Sequence, residues 1–337
     1  MPTLDLTLAA GPYDRLQALY DGTVAVEGVR IDANVRQRPV DIFSPMIERG
    51  AFDIAEMSLT HCYALTAQGR ANFVTLPVFP SRMFRHGFIF VNAKAGIRTP
   101  ADLAGKRIGV QGHQMTAAVW IRGLLRDEHG VDLDGVEWYE GGVNEYGVAG
   151  GDIMELRPSR PLRAQRIPAT TCLSDLLAQG GIDALVGAFI PKSYGRHGDV
   201  QRLFPDYRTR EAGYFSRTGI FPIMHALVLR RDVHEAHPWL APALVQACDQ
   251  AKAAAWQRLR FSGALSAMLP WLMDHVEETV AALGPDPWPY GIEANRPTLD
   301  AFSAMLHDDG YLERPMSWDE VFVPARASAQ GDQDFSL

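Results

Sequence analysis

Apolar and polar positions alternate along LDLTLA (residues 4–9), the two-residue period of a strand with one buried face. GPYDRLQALYDG then switches to a turn and helical spacing, and VEGVRIDANV supplies another strand. VDIFSPMIERG has helical spacing interrupted by Pro45, while FDIAEMSLTHCYALTAQG reads as a short strand running into a helix. FVTLPVF and HGFIFVN close this first block. Strands alternating with helices predict a mostly parallel sheet covered on both faces.

A fresh unit starts at AGIRTPADLAGKRIGVQG, where TPADLAG is a short helix and KRIGVQG a strand ending in glycine. MTAAVWIRGLLRDEHG places Ala118, Ile121, Leu124 and Leu125 on one helical face; GVEWYEGG, LSDLLAQGG and IDALVGAFI read as strand, helix and strand. HALVLRRD is a further strand, followed by a helical region to about residue 323 that PDPWPYG interrupts. The expected architecture is α/β and two-lobed. Residues 1–92 and 224–337 form lobe 1, residues 93–223 form lobe 2, and a ligand cleft lies between lobes joined by two crossings.

At 337 residues the chain exceeds one ordinary core, in keeping with two lobes. It is 47% hydrophobic and 21% charged, the make-up of a globular protein. A net charge of -8 argues against general nucleic-acid binding, which favours a basic face. MPTLDLTLAAGPYDR has neither a positive n-region nor an apolar h-region, and no run reaches membrane-spanning length, so a cytoplasmic location is expected. Cys62, Cys172 and Cys248 have no zinc or CxxC spacing, and reduced thiols are expected.

Candidate chemistry gathers at strand ends. In FPSRMFRHGFIFVN, Arg82, Arg85 and His86 stand among Phe79, Phe84, Phe88 and Phe90. A guanidinium pairs with a carboxylate in a planar, two-pronged way, so these arginines suit an aromatic dianion; the alternative is a solvated strand end. In an extended segment Arg85 and His86 point to opposite sides, so one of the two is expected to face the ligand unless the backbone bends. EMSLTH offers Glu56, Ser58 and His61 at a strand-to-helix turn, as base and acid or as two metal ligands, with Ser58 alternatively a helix cap. VQGHQMTAAVW puts His113, Gln114 and Thr116 at a helix start suited to a carboxylate, with Thr116 alternatively a plain N-cap. Lys192, His225, Tyr13 and Asp14 follow or open strands and complete the candidates. GGVNEYG lacks a strand-linked GxGxxG, and neither GxSxG nor HExxH is present.

PYDR, FDIAEMSL, PVFPSRMFRH, GIRTPADLAGKRIGV, QMTAAVWIRG, RTGIFPIMH and WPYGIEANR resemble the 4,5-dihydroxyphthalate decarboxylase family across roughly residues 5 to 325. GGVNEYGVAGGDIMELRPSRPL, within residues 141–163, occupies the place of a family loop, and its second half does not match. The resemblance implies a cytoplasmic protein with the type II periplasmic-binding-protein fold. It also implies an aromatic dicarboxylate substrate that loses one carboxylate to give 3,4-dihydroxybenzoate. Such a reaction needs cations for carboxylate, a base for phenol and an acid for carbon, and no cofactor, though a divalent metal held by Glu56 and His61 is an alternative. Arg82 and Arg85 suit the first task, and His61, His86, His225 and Glu56 are the proton-transfer candidates. A binding protein that captures an aromatic or heterocyclic acid unchanged is the alternative from another class. A homo-oligomer is compatible with the sequence.

Overall fold

The alternating run at the start forms β1 (Leu4–Ala10), with Leu6, Leu8 and Ala10 buried. In the computed structural model, which describes residues 3–147, 156, 158–160 and 164–324, it is followed by α1 (Asp14–Tyr20), β2 (Val29–Val35), α2 (Val40–Arg49), β3 (Ile54–Ser58) and α3 (Leu59–Ala67). β4 (Phe73–Thr75) and the short β5 (Ser81–Arg82) complete the first block. The second block contains β6 (Ile89–Asn92), β7 (Arg107–Val110), α4 (Thr116–His129), β8 (Glu137–Glu140), β9 (Ala164–Arg166), α5 (Leu173–Gln179), β10 (Ala184–Val186), β11 (Val200–Arg202) and α6 (Tyr207–Thr218). β12 (Ile223–Arg230) then leads into α7 (Arg231–Ala236), α8 (Leu240–Arg260), α9 (Leu272–Leu283), α10 (Arg296–Asp308) and α11 (Trp318–Val321).

The strands form two mixed sheets. The first has the order β2-β1-β3-β12-β4, with β5 also paired to β12. β1 is parallel to β2 and β3, whereas β12 runs antiparallel to both β3 and β4. From β1 the chain steps to β2 on one side and then to β3 on the other. The switch point, where loops diverge and leave a crevice, therefore lies between the C-terminal ends of β1 and β3. The second sheet has the order β11-β6-β10-β7-β8-β9 and switches in the same way between β7 and β10. Its core packs Ile89, Val91, Ile108, Val110, Ile121, Leu125, Trp138 and Val186 together.

Two compact units result. One comprises Met1–Arg82, His225–Leu299 and Ser317–Leu337; the other comprises Met83–Met224 and Asp300–Met316. The first change of unit falls at residues 82/83 instead of near Asn92, because β5 belongs with β12. The chain also changes unit at 299/300 and 316/317, within and after α10, in addition to 224/225. There are thus four crossings where two were expected.

Three local readings change. Pro45 does not interrupt α2, which runs through it with Ile42, Phe43, Met46 and Ile47 buried; one lost backbone bond is outweighed by that apolar face. His86–Phe88 is a 3-10 turn, entered through Arg85 at φ -125°, ψ -2°, and the strand begins only at Ile89. The expected helical continuity after residue 260 breaks over residues 261–271, between α8 and α9. Most of the unmatched part of GGVNEYGVAGGDIMELRPSRPL (148–155, 157, 161–162) lies outside the described residues. No helix among the described residues is long and apolar enough to cross a membrane.

Candidate active site

At the switch point of the first sheet, the end of β1 meets the end of β3. Glu56, on β3, is fully buried and is approached by three donors. Gly11 N–H donates at 2.9 Å, Tyr13 Oη at 2.6 Å, and His225 Nδ1 lies 2.5 Å from Oε1. Gly11 is required by space: a Cβ there would stand 2.8 Å from the Tyr13 ring. Burial pushes the Glu56 carboxyl up, but His225, Tyr13 and the Gly11 N–H together hold it below its ordinary value, so it is a carboxylate. Tyr13 is pushed up, by burial first and by Glu56 second, and stays a phenol that donates. A carboxylate on Nδ1 makes that nitrogen the donor and turns Nε2 away from Glu56. The His225 ring is held edge-on by Phe43, with centroids 5.0 Å apart.

β12 brings His225 opposite Ser58, its partner in the strand register. Ser58 stands at the N-cap of α3 without a side-chain cap bond; its Oγ is 3.2 Å from His61 Nδ1, and both residues are buried. The capping role weighed for Ser58 is thus replaced by a contact to His61. Arg82 is buried, with Nη1 donating to Pro289 O at 3.1 Å; burial lowers its pKa to about 9, against the opposing charges of Asp286 and Tyr290. Arg15, which sequence reasoning missed, lies between the Tyr13 and Trp288 rings at 4.4 and 4.2 Å. Asp14 instead turns to Arg15 at 2.9 Å and is largely exposed, so it does not join Glu56.

The second unit carries the other candidates. Arg85 is 6% exposed, and neither Nε nor Nη1 has a hydrogen-bond partner among the described residues. Burial lowers its pKa to about 10, offset in part by Glu211. The bend at Arg85 buries both Arg85 and His86, so they do not divide between two faces of a strand. His86 packs edge-on against Phe204 and Tyr214, with Nδ1 3.8 Å from Glu211. Burial, then the charges of His129, Arg210 and Arg217, lower the His86 pKa to about 4. Its surroundings are those of a neutral core histidine. Glu211, also missed, has its pKa raised by burial to about 7 while accepting from Gly87 N–H at 3.1 Å.

Past β7, the His113 N–H donates to Glu140 at 3.1 Å and its ring packs edge-on against Trp138. Burial holds the imidazole below its ordinary pKa despite Glu140, and Nε2 has no partner among the described residues. Gln114 Oε1 accepts from Leu156 N–H at 2.8 Å. Thr116 is the first residue of α4 and not its N-cap, which is Met115. Lys192 pairs with Asp175 at 3.2 Å beside Tyr146, an exposed arrangement in which the cation is already neutralised. Among the described residues, no group of three or more His, Cys, Asp or Glu side chains is placed to hold a metal ion. The three cysteines are free and buried.

Comparison with known proteins bears on what this arrangement serves. No protein-family model matches the chain. A 4,5-dihydroxyphthalate decarboxylase of Comamonas testosteroni is 37% identical over 326 residues, spanning 96% of this chain and 98% of that protein. The chain belongs to the 4,5-dihydroxyphthalate decarboxylase family. A second family member, from Pseudomonas putida, is 38% identical over 207 residues, 61% of this chain and 79% of that sequence. Solved structures establish the fold of this decarboxylase-family chain. The periplasmic sulfonate-binding protein of Methylobacillus flagellatus KT superposes with a TM-score of 0.59 at 12% identity, covering 96% of this chain and 93% of that one. The aliphatic sulphonate-binding protein of Escherichia coli gives 0.52 at 13% identity, covering 99% and 96%. The fold is that of the periplasmic binding proteins, as the sequence led one to expect.

Proposed function

We infer that this chain is an aromatic carboxy-lyase that converts 4,5-dihydroxyphthalate to 3,4-dihydroxybenzoate and carbon dioxide. The observation that carries this reading is likeness to the Comamonas enzyme along 96% of the chain. The buried Glu56, with Tyr13 and His225 upon it, adds the proton-transfer chemistry that such a reaction requires.

In the proposed mechanism a buried arginine, Arg82 or Arg85, takes a substrate carboxylate, since desolvated guanidinium donors gain most from an anion. His225, oriented through Nδ1 by Glu56, accepts at Nε2 the proton of the hydroxyl para to the departing carboxylate. Electron density moves into the ring, and the ipso carbon receives a proton. The bond to the carboxylate then breaks, its electron pair restores aromaticity, and carbon dioxide leaves; the phenol regains a proton. One C–C bond is exchanged for one C–H bond with net uptake of a single proton. The Ser58–His61 pair is assigned as the second proton-transfer group, and no cofactor is invoked. A divalent metal is the weaker reading, because the Glu56 carboxylate already accepts hydrogen bonds from Gly11, Tyr13 and His225.

The test is turnover of 4,5-dihydroxyphthalate by the purified protein in heavy water, with and without a chelator. Released carbon dioxide and deuterium at the vacated ring carbon are expected in both arms. Substrate that binds but returns unchanged would replace this reading with simple capture of an aromatic acid.

A further inference from the structure

The segment PDPWPYGIEAN, residues 285–295, runs from the end of α9 to a 3-10 turn at Glu293–Asn295. Three consecutive residues within it each meet a cation. The Arg15 guanidinium lies 4.2 Å from the Trp288 ring, Arg82 Nη1 donates to Pro289 O at 3.1 Å, and Lys252 Nζ stands 5.0 Å from the Tyr290 ring. Hydrogen bonds to the stretch that carries Arg82 hold the segment in place. Trp288 Nε1 donates to Phe79 O at 2.9 Å, and the Gly291 N–H donates to Pro77 O at 2.8 Å. Arg15 Nε adds a bond to Pro80 O at 2.6 Å.

Asn295 closes this arrangement from within. It is fully buried, and its Nδ2 donates to Gly291 O at 2.7 Å and to Pro289 O at 3.0 Å. A carbonyl oxygen has two lone pairs, so Pro289 O accepts from Asn295 and Arg82 together. Two links tie Arg82 to the Glu56–His225 pair. It lies on β5, which pairs with β12, the strand of His225, and its neighbour Ser81 is hydrogen-bonded to Tyr13. A guanidinium ends a long, rotatable side chain, and its planar fork matches a carboxylate only in the right plane. On the reading that Arg82 takes a substrate carboxylate, we propose that Asn295 is a positioning residue for substrate binding. By fixing the Pro289 carbonyl, it sets the plane in which the Arg82 fork meets that carboxylate.

A double-mutant cycle on the full chain tests this, with calorimetric titration of a non-reacting phthalate for affinity and turnover of 4,5-dihydroxyphthalate for kcat. Arg82→Ala is expected to weaken phthalate binding by about 10- to 100-fold, and Asn295→Ala by about 10-fold. In Asn295→Ala, kcat at saturation should change by less than about threefold. Adding Asn295→Ala to Arg82→Ala should then cost no further affinity, because the orientation lost belongs to a guanidinium already removed. A residue that only holds the segment together would add its own loss to that of Arg82→Ala. Where the alanine variant does not fold, Asn295→Ser, which keeps a shorter donor, takes its place in the cycle. Full phthalate affinity in Arg82→Ala overturns the carboxylate role of Arg82, and the positioning role with it. A loss in Arg82→Ala that the Asn295 variant does not share, or that it multiplies, overturns the positioning role alone.

Discussion

Glu56 and His225 stand 169 residues apart in sequence and meet in a 2.5 Å contact from Nδ1 to Oε1. The carboxylate is fully buried, whereas the imidazole stays 18% exposed. A buried anion that fixes one nitrogen of a histidine also fixes the direction in which the other can act.

Glu56→Gln is therefore expected to lower kcat by about 100-fold while leaving KM nearly unchanged, because orientation and charge are lost but substrate contacts are not. Tyr13→Phe removes one of the bonds that hold the carboxyl low, so Glu56 protonates at higher pH. The acid limb of kcat should move upward in pH, with a loss near neutrality of about 10-fold. Equal kcat and an unshifted profile in both variants would remove Glu56 from the chemistry.

Arg85→Ala should weaken substrate binding by roughly 10- to 100-fold, the cost of a charge-assisted hydrogen bond. Arg85→Lys should recover part of it, since the ammonium lacks the planar fork. Calorimetric titration with a non-reacting phthalate isolates binding from turnover. Unchanged affinity in the alanine variant would assign the buried guanidinium to structure alone.

His86 and Glu211 should tilt the stability curve in opposite senses. The folded His86 stays neutral down to about pH 4, whereas the unfolded imidazole takes a proton near 6.5. Stability is thus lost as pH falls from 6.5 to 4, by about 3 kcal/mol in all. The folded Glu211 keeps its proton up to about pH 7, whereas its ordinary value is 4.5, so stability is lost as pH rises between those limits. In urea unfolding, Glu211→Gln should gain stability at pH 8 and little at pH 4.5, and His86→Gln should flatten the acid limb. A pH-independent effect of either substitution would contradict these assignments.

In the second unit, Arg122 is buried and grips Asp309 Oδ2 through Nε at 3.0 Å and Nη2 at 2.6 Å. Asp309→Ala leaves that guanidinium without its counter-charge and should cost about 3–5 kcal/mol. Equilibrium denaturation reads this directly; a loss under about 1 kcal/mol would mean that water replaces the carboxylate.

Much of the fold was legible because its signals are local. The alternation of β1, the helical face of α4 and the short helical turn in TPADLAG each lie within a dozen or so residues of chain. Glu56 and Ser58 could be placed at a strand end for the same reason. The pairing of Glu56 with His225 could not, since it depends on β12 returning beside β3, a register that neither segment encodes alone. Arg15 between Tyr13 and Trp288 was hidden in the same way. The surroundings of His86 turn on a bend at Arg85 that its spacing does not announce: the bend buries the imidazole against Phe204 and Tyr214, where burial suppresses its charge.

The order of strands in the first sheet also governs how the protein is made. β12 lies between β3 and β4, yet it is synthesised some 150 residues after them. Until Arg230 has left the ribosome, one edge of β3 and both edges of β4 await hydrogen-bond partners, the condition in which strands join the wrong neighbour. For that interval Glu56 lacks the imidazole that compensates its buried charge. Closing the sheet and assembling the dyad are one event in the life of the nascent chain.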